Sequence, residues 1–397
     1  MTQWHPDFPA RYSGPNSLSP RSELKTSFTG TLFTGIRLWE GGAIYLDPEF
    51  SAGSGFSRTL GAAGFPNGEV YRIGDPNPKA YLARLFVRQT FGLGGGRERI
   101  EPDREELGGD LADHRVTLMV GKFSLTDLFD DNAYSHDPRR EFLNWALMDN
   151  GAWDYAADTR GYTWGVALEY NQPEWAFRLA TAMVPKEANQ MEFDHRLSSA
   201  HGDNAEFEYR YAVQKHPGKV RLSGFINHAH MGSYRETIDT PSFERQIALS
   251  RRYRVKYGFG LNLEQELAGG LGAFLRVGWN DGRTETWAFT EIDRTLSLGL
   301  SLKGIYWKRP GDTIGVAGVI NGLSRDHADY LAAGGLGFII GDGALTYAPE
   351  EIAEAYYRWK PLSRIEVTAD TQYINHPAYS ADRGPVFVAG ARLHYEF

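Results

Sequence analysis

Apolar and polar side chains alternate with a period of two from about residue 24 to the last residue, the pattern of strands greasy on one face only. Over 205–213, Ala205, Phe207, Tyr209, Tyr211 and Val213 share one face, against Glu206, Glu208, Arg210 and Ala212. From Arg252 to Leu263, Tyr253, Val255, Tyr257, Phe259, Leu261 and Leu263 oppose Arg252, Arg254, Lys256, Gly258, Gly260 and Asn262. The pattern recurs in Leu271, Ala273, Leu275, Val277 and Trp279, in Trp164, Val166, Leu168 and Tyr170, and in Leu296, Leu298, Leu300 and Leu302. Stretches of about 9–12 residues suit a tilted strand crossing a bilayer and exceed the ~5–6 usual in soluble sheets. Aromatics gather at strand ends (Trp164, Tyr170, Trp279, Tyr306, Trp307, Tyr395, Phe397), where girdles at the two membrane interfaces place them. The expected fold is all-β: a single transmembrane antiparallel β-barrel over 1–397, of about sixteen strands.

Connections alternate in length, as short periplasmic turns and long outer loops require. Short turns are expected at 171–174, 216–219 (His216-Pro217-Gly218-Lys219), 268–270, 309–312 and 360–363, each with Pro or Gly. Longer polar links fall at 124–161, 185–203, 231–250, 281–291, 321–349 and 376–385, and the charged run 97–113 is a long link on the short-turn side. The last strand puts Ala389, Ala391, Leu393, Tyr395 and Phe397 on one face and ends on an aromatic, a form like the signal read by the barrel-assembly machinery. Counting back from it gives about fifteen strands, the earliest at Leu24–Trp39, whereas bacterial single-chain barrels have an even number. The first strand is therefore expected to be lacking or truncated, with 1–23 an N-terminal remnant in an outer loop. Met1 to Pro6 has neither the basic region nor the apolar core of a signal peptide, and its removal is the expected explanation.

Composition agrees. There are 21 Tyr, 22 Phe, 10 Trp and 45 Gly, yet the mean hydropathy is −0.43, as expected of a greasy exterior around a wet interior. A soluble propeller or sandwich has a similar composition. No apolar run reaches the ~18–20 residues of a membrane-spanning helix. The absence of cysteine removes disulfides and thiolate chemistry, and a net charge of −8 excludes a general nucleic-acid binder.

The most specific text lies in 121–165: Asp127-Leu128-Phe129-Asp130-Asp131-Asn132-Ala133-Tyr134-Ser135-His136-Asp137-Pro138, then Phe142 to Tyr155, then Asp158 to Tyr162. It closely resembles the carbohydrate-selective porin family of the OprB type, with further similarity at Tyr12–Leu18, Ala63–Glu69 and Arg84–Gln89. The resemblance implies an outer-membrane barrel of sixteen strands that admits glucose-like monosaccharides by facilitated diffusion, without enzymatic activity or cofactor. It also implies a strand ahead of Gln3-Trp4-His5-Pro6.

The residues themselves support a constriction. Asp137 is a plausible N-cap for a helix opened by Pro138, with Phe142, Trp145 and Ala146 at helical spacing. A loop over 124–161 is too long for a passive connector and, folded inward, would narrow the pore. Sugars need planar hydrogen-bonding groups and aromatic faces, which Asp130, Asp131, Asn132, His136, Asn144, Asp149, Asn150, Trp153 and Arg160 supply. These same types also serve simply to hold a loop together. Opposite the greasy face of Tyr81, Leu85 and Val87, Arg84 and Arg88 are expected at the constriction. Arg178, Arg210, Arg221, Arg252, Arg254, Lys256, Arg276 and Arg358 are expected inside with Glu169, Glu206, Glu208, Glu366 and Asp370. His228 and His230 share a strand face with no third ligand evident, so no metal is expected. The expected partners are small carbohydrates, outer-membrane lipid, the assembly machinery through the Phe397 strand and further copies of the chain. An outer-membrane or secreted hydrolase using loop carboxylates, or a soluble all-β sugar-binding module, are the competing readings.

Overall fold

The computed structural model describes residues 1–72 and 76–397, in which one antiparallel sheet curls into a closed ring. Its strands are β1 (Thr2–His5), β2 (Glu23–Thr31), β3 (Gly35–Trp39), β4 (Gly42–Gly53), β5 (Lys79–Ile100) and β6 (Gly109–Phe123). Then come β7 (Thr163–Asn171), β8 (Trp175–Ala182), β9 (His201–Val213), β10 (His216–Met231), β11 (Arg252–Ala268) and β12 (Leu271–Asn280). The ring ends with β13 (Arg294–Lys303), β14 (Thr313–Gly322), β15 (Glu350–Leu362), β16 (Ile365–Asn375) and β17 (Val386–Tyr395). Each strand from β4 onward pairs with the next, while β2 and β3 both pair with β4 and so share one stave. This makes a closed barrel of sixteen staves.

Alternation builds the wall as expected. On β11, Tyr257 and Phe259 (58% exposed) face outward while Lys256, Gly258, Gly260 and Asn262 are buried inside. On β13, Leu296, Leu298 and Leu300 face outward and Thr295 and Ser297 are buried. Aromatic pairs cap the outer face, with Tyr170 against Trp175 at 5.3 Å near one rim and Tyr257 against Trp279 at 5.9 Å toward the other. No helix among the described residues is long and apolar enough to cross a membrane; this chain crosses with strands.

Five expectations change. The strand expected to be lacking is Thr2–His5 itself, which pairs with Ala389–Ala391 of β17 and with Glu23–Thr26 of β2. Four residues before a proline are too few to show alternation, so the count fell one short. Leu24–Trp39 breaks into β2 and β3 because the neighbouring strand carries Pro48, which has no N–H to give the ladder. A bulge where Asp47–Pro48 face Arg84 and Leu82 also reverses the phase of β5. Tyr81 therefore points inward, its hydroxyl bonded to Glu49, although it was expected on the greasy face. The β9–β10 turn is Gln214-Lys215, both at positive φ, and not 216–219, where Pro217 and Gly218 already pair in the ladder. The 97–113 link shrinks to 101–108 because β5 and β6 extend into it.

Candidate functional site

The segment between β6 and β7, 124–162, turns into the barrel, and most of it is buried, with only Asp131 and Ala133 exposed. With so little regular structure, its backbone polar groups need partners from outside the segment. The wall supplies them. Arg276 donates to the carbonyls of Asp130 (3.1 Å), Ser135 (2.6 Å) and Leu147 (3.0 Å), and its Nε lies 2.9 Å from the Asp130 carboxylate. Carboxylates on β9, β11 and β15 accept the loop's amides: Glu206 from Asp130, Glu264 from Ala133 and Glu354 from Leu143 and Asn144. Arg392 donates to the carbonyls of Pro138 and Glu141. Lys256 and Asp154, both fully buried, pair at 3.2 Å. Arg84 grips Asp127 through a two-pronged fork at 2.6 and 2.7 Å.

Apolar contacts complete the seating. Trp145 stacks on Phe65 at 5.2 Å, and Trp153, Tyr155 and Phe289 form a chain of rings at 4.9 and 5.2 Å. The helix in the loop, α1 (Trp145–Met148), is capped by the Asn144 side chain, which accepts from Ala146 N. It does not start at Pro138; there the Asp137 carboxylate accepts from Arg139 N and closes a turn. Room for the loop comes from glycines on the inner wall. A β-carbon at Gly278 would lie 2.0 Å from Asn150 Oδ1, and one at Gly272 2.0 Å from the Tyr134 ring.

The sequence candidates divide by access. Asp130, Asn132, Asn144, Asp149, Asn150, Trp153 and Arg84 are buried, most of them bonded within the loop or to the wall. Asn132 bonds Asn262, Asn150 bonds the Val277 carbonyl and Trp153 Nε1 donates to Asn204. Water reaches four others. The Asp131 side chain is 53% exposed beside Arg221 at 3.2 Å, and His136 lies 3.3 Å from Asp149. Arg160 stacks over Tyr81 at 3.9 Å, and Arg88 pairs with Glu106 at 3.0 Å beneath the Tyr45 ring. Burial alone would discharge His136, but Asp149 and Asp131 overcome it and raise its pKa to about 9. Arg252, expected inside, sits at the rim on Glu236.

Between the loop's Leu128-Phe129 and the wall of β5 to β8 lies a cavity of about 190 Å³. It is lined by Arg88, Glu106, Arg115, Glu169, Arg178 and Phe129 among others. The cations there are already paired: Arg178 with Glu169 at 2.7 Å and Glu206 at 2.8 Å, Arg115 with Glu98 at 3.1 Å. Such a lining offers both donors and acceptors, but little unbalanced charge. Arg115, Glu264, Glu354 and Arg392 are not among the sequence candidates, although the inward phase of their strands marks Glu264, Arg392 and, through Arg358, Glu354. Glu106 lies in a turn, where no periodicity points to it.

A closed β-barrel with a polar interior and a long loop drawn into it defines an outer-membrane channel. Residues 15–397 match the family model "Carbohydrate-selective porin, OprB family", and the chain belongs to that family. It is 23% identical over 308 residues to QuiX of Acinetobacter baylyi, a porin by designation, covering 72% of this chain and 66% of that relative's length. Among solved structures, Pseudomonas putida OprB at high pH superposes with TM-score 0.73 at 17% identity, covering 100% of this chain and 93% of that one. The low-pH form of that protein gives 0.53 at 13% identity, over 100% and 90%. The DcaP channel of Acinetobacter baumannii gives 0.52 at 9% identity, over 100% and 94%. These likenesses carry the fold. The family and its neighbours are channels, not enzymes, which sets the hydrolase reading aside, and family and fold together imply the outer membrane.

Proposed function

We propose that this chain lets small carbohydrates of the size of glucose diffuse across the outer membrane, past the loop at 124–162. The cavity beside Phe129 carries the reading: water-reachable arginines and carboxylates, paired to near neutrality, stand against an aromatic face. Paired charges suit a neutral polyol, whose hydroxyls donate and accept, better than a free ion, which would meet the opposite sign at each step. In this reading Arg88, Arg178, Asp131, His136 and Arg160 meet the solute in a lumen partly lined by arginine. Arg84, Asp130, Asn132, Asn144, Asp149, Asn150 and Trp153 hold the loop in place. Assembly into the membrane proceeds through β17 and the exposed Phe397 just beyond it.

Swelling of liposomes containing the full chain tests this. Glucose should enter faster than a disaccharide, and Arg88→Ala with Arg178→Ala should change the ratio of the two rates at least severalfold. No swelling with any sugar would overturn the reading. An unchanged ratio in the double variant would remove the β5–β8 cavity from the path.

A further inference from the structure

The geometry points to a divalent transition-metal site, of the zinc type, on the outward face of the barrel, formed by His201, Asp203 and His228. His201 and His228 stand directly opposite one another across the β9–β10 ladder, and Asp203 follows two residues after His201 on the same face. The strand face with His228 therefore does find further ligands, on a neighbour that no reading of β10 alone would reveal. One ligand atom from each of the three lies within 4.8 Å of the others, and His201 Nε2 is 3.4 Å from Asp203 Oδ2.

Two outer contacts prepare the donors. His201 Nδ1 lies 2.8 Å from the Leu197 carbonyl, which can only accept. The proton therefore sits on Nδ1 in the neutral ring and the Nε2 lone pair is directed toward Asp203, an arrangement common to metal-binding imidazoles. Thr181 Oγ1 donates to Asp203 Oδ1 at 2.7 Å and orients the carboxylate so that Oδ2 is the oxygen left for the cation. The imidazole rings now stack at 4.6 Å between centroids. A tetrahedral ion with bonds of about 2.0–2.2 Å needs its donors somewhat closer, which rotation of the two rings about their outer torsions supplies.

Two imidazoles and one carboxylate are a donor set for Zn²⁺ or a similar first-row ion, not for Ca²⁺ or Mg²⁺, which favour oxygen. A fourth position is left to water. The site lies toward the rim that carries the long loops. Through Leu197 it reaches the 183–200 loop, so that a bound ion would clamp β9, β10 and the root of that loop together.

Calorimetric titration of zinc chloride into tag-free, full-length protein in detergent micelles tests the site. The expected result is one ion per chain. His201→Ala, His228→Ala and the near-isosteric Asp203→Asn should each weaken binding by about ten- to a hundredfold. His230→Ala, one residue pair farther along the same face, should bind as the parent does. All four side chains point away from the lumen, so each variant should keep the heat-dependent gel shift of a folded barrel. Absence of one-to-one binding, or binding that survives the His201→Ala/His228→Ala double variant in folded form, would overturn the proposal.

Discussion

The buried charges of this barrel work by pairing, and each pair is only as good as both its members. Arg276 satisfies three loop carbonyls and the Asp130 carboxylate with no exposure of its own side chain. Arg276→Ala should therefore cost about 3–5 kcal/mol, because the buried Asp130 carboxylate and three loop carbonyls lose their cationic partner together. Guanidinium unfolding in lipid vesicles reads that loss, and amide exchange should open first in 124–162. His136 makes the loop's hold depend on pH. Its pKa is raised from 6.5 when free to about 9 when folded. The protonated form is thus the one the native loop favours, so its stabilisation is full below about 6.5 and fades as pH rises through about 9. The thermal midpoint should fall over that interval, and His136→Gln should flatten the fall. Residue types alone did not separate the roles here. Asp130 and Asp131 are adjacent and chemically identical, yet one is buried on Arg276 and the other is half in water.

At the scale of elements, strand and loop are matched surfaces. The inner face of β12 has Gly272 and Gly278 where Tyr134 and Asn150 approach. Gly278→Val should drive Asn150 from its bond to the Val277 carbonyl at a cost of about 1–3 kcal/mol. Faster amide exchange in 146–153, with the wall strands unchanged, checks this. The strands were legible because alternation is a local property of sequence. Tyr81 departs from the expected greasy face because a single bulge opposite Asp47–Pro48 inverts the phase, and the inversion depends on β4 as much as on β5. The helix starts at Trp145 and not at Pro138 for a similar reason. Asn144 caps it, while the nearby backbone is held by Glu354 from the far wall.

The whole molecule has two surfaces of opposite character. Leu298, 57% exposed near the middle of β13, faces lipid, so Leu298→Arg should destabilise the barrel by about 2–4 kcal/mol in vesicles. Ser297→Arg, one residue away on the inner face, is expected to act instead through crowding of the lumen, and unfolding in vesicles compared with swelling rates separates the two. Closure rests on the short β1, which joins β17 to β2 over Thr2–His5. Beyond Thr2, Phe28–Thr31 and Arg392–Tyr395 are paired on one side only among the described residues.

Period-two alternation, aromatic strand ends and alternating link lengths by themselves carried the expectation of a membrane barrel, because lipid outside and water inside impose one rule on every strand. The 127–161 text pointed to the family. Which inward charges bind the loop and which stand open to water was decided only by the tertiary structure. A charge on the inner face meets whatever the fold brings opposite it, and for Arg276, Glu206 and Glu354 that partner is loop backbone, which carries no signature in sequence.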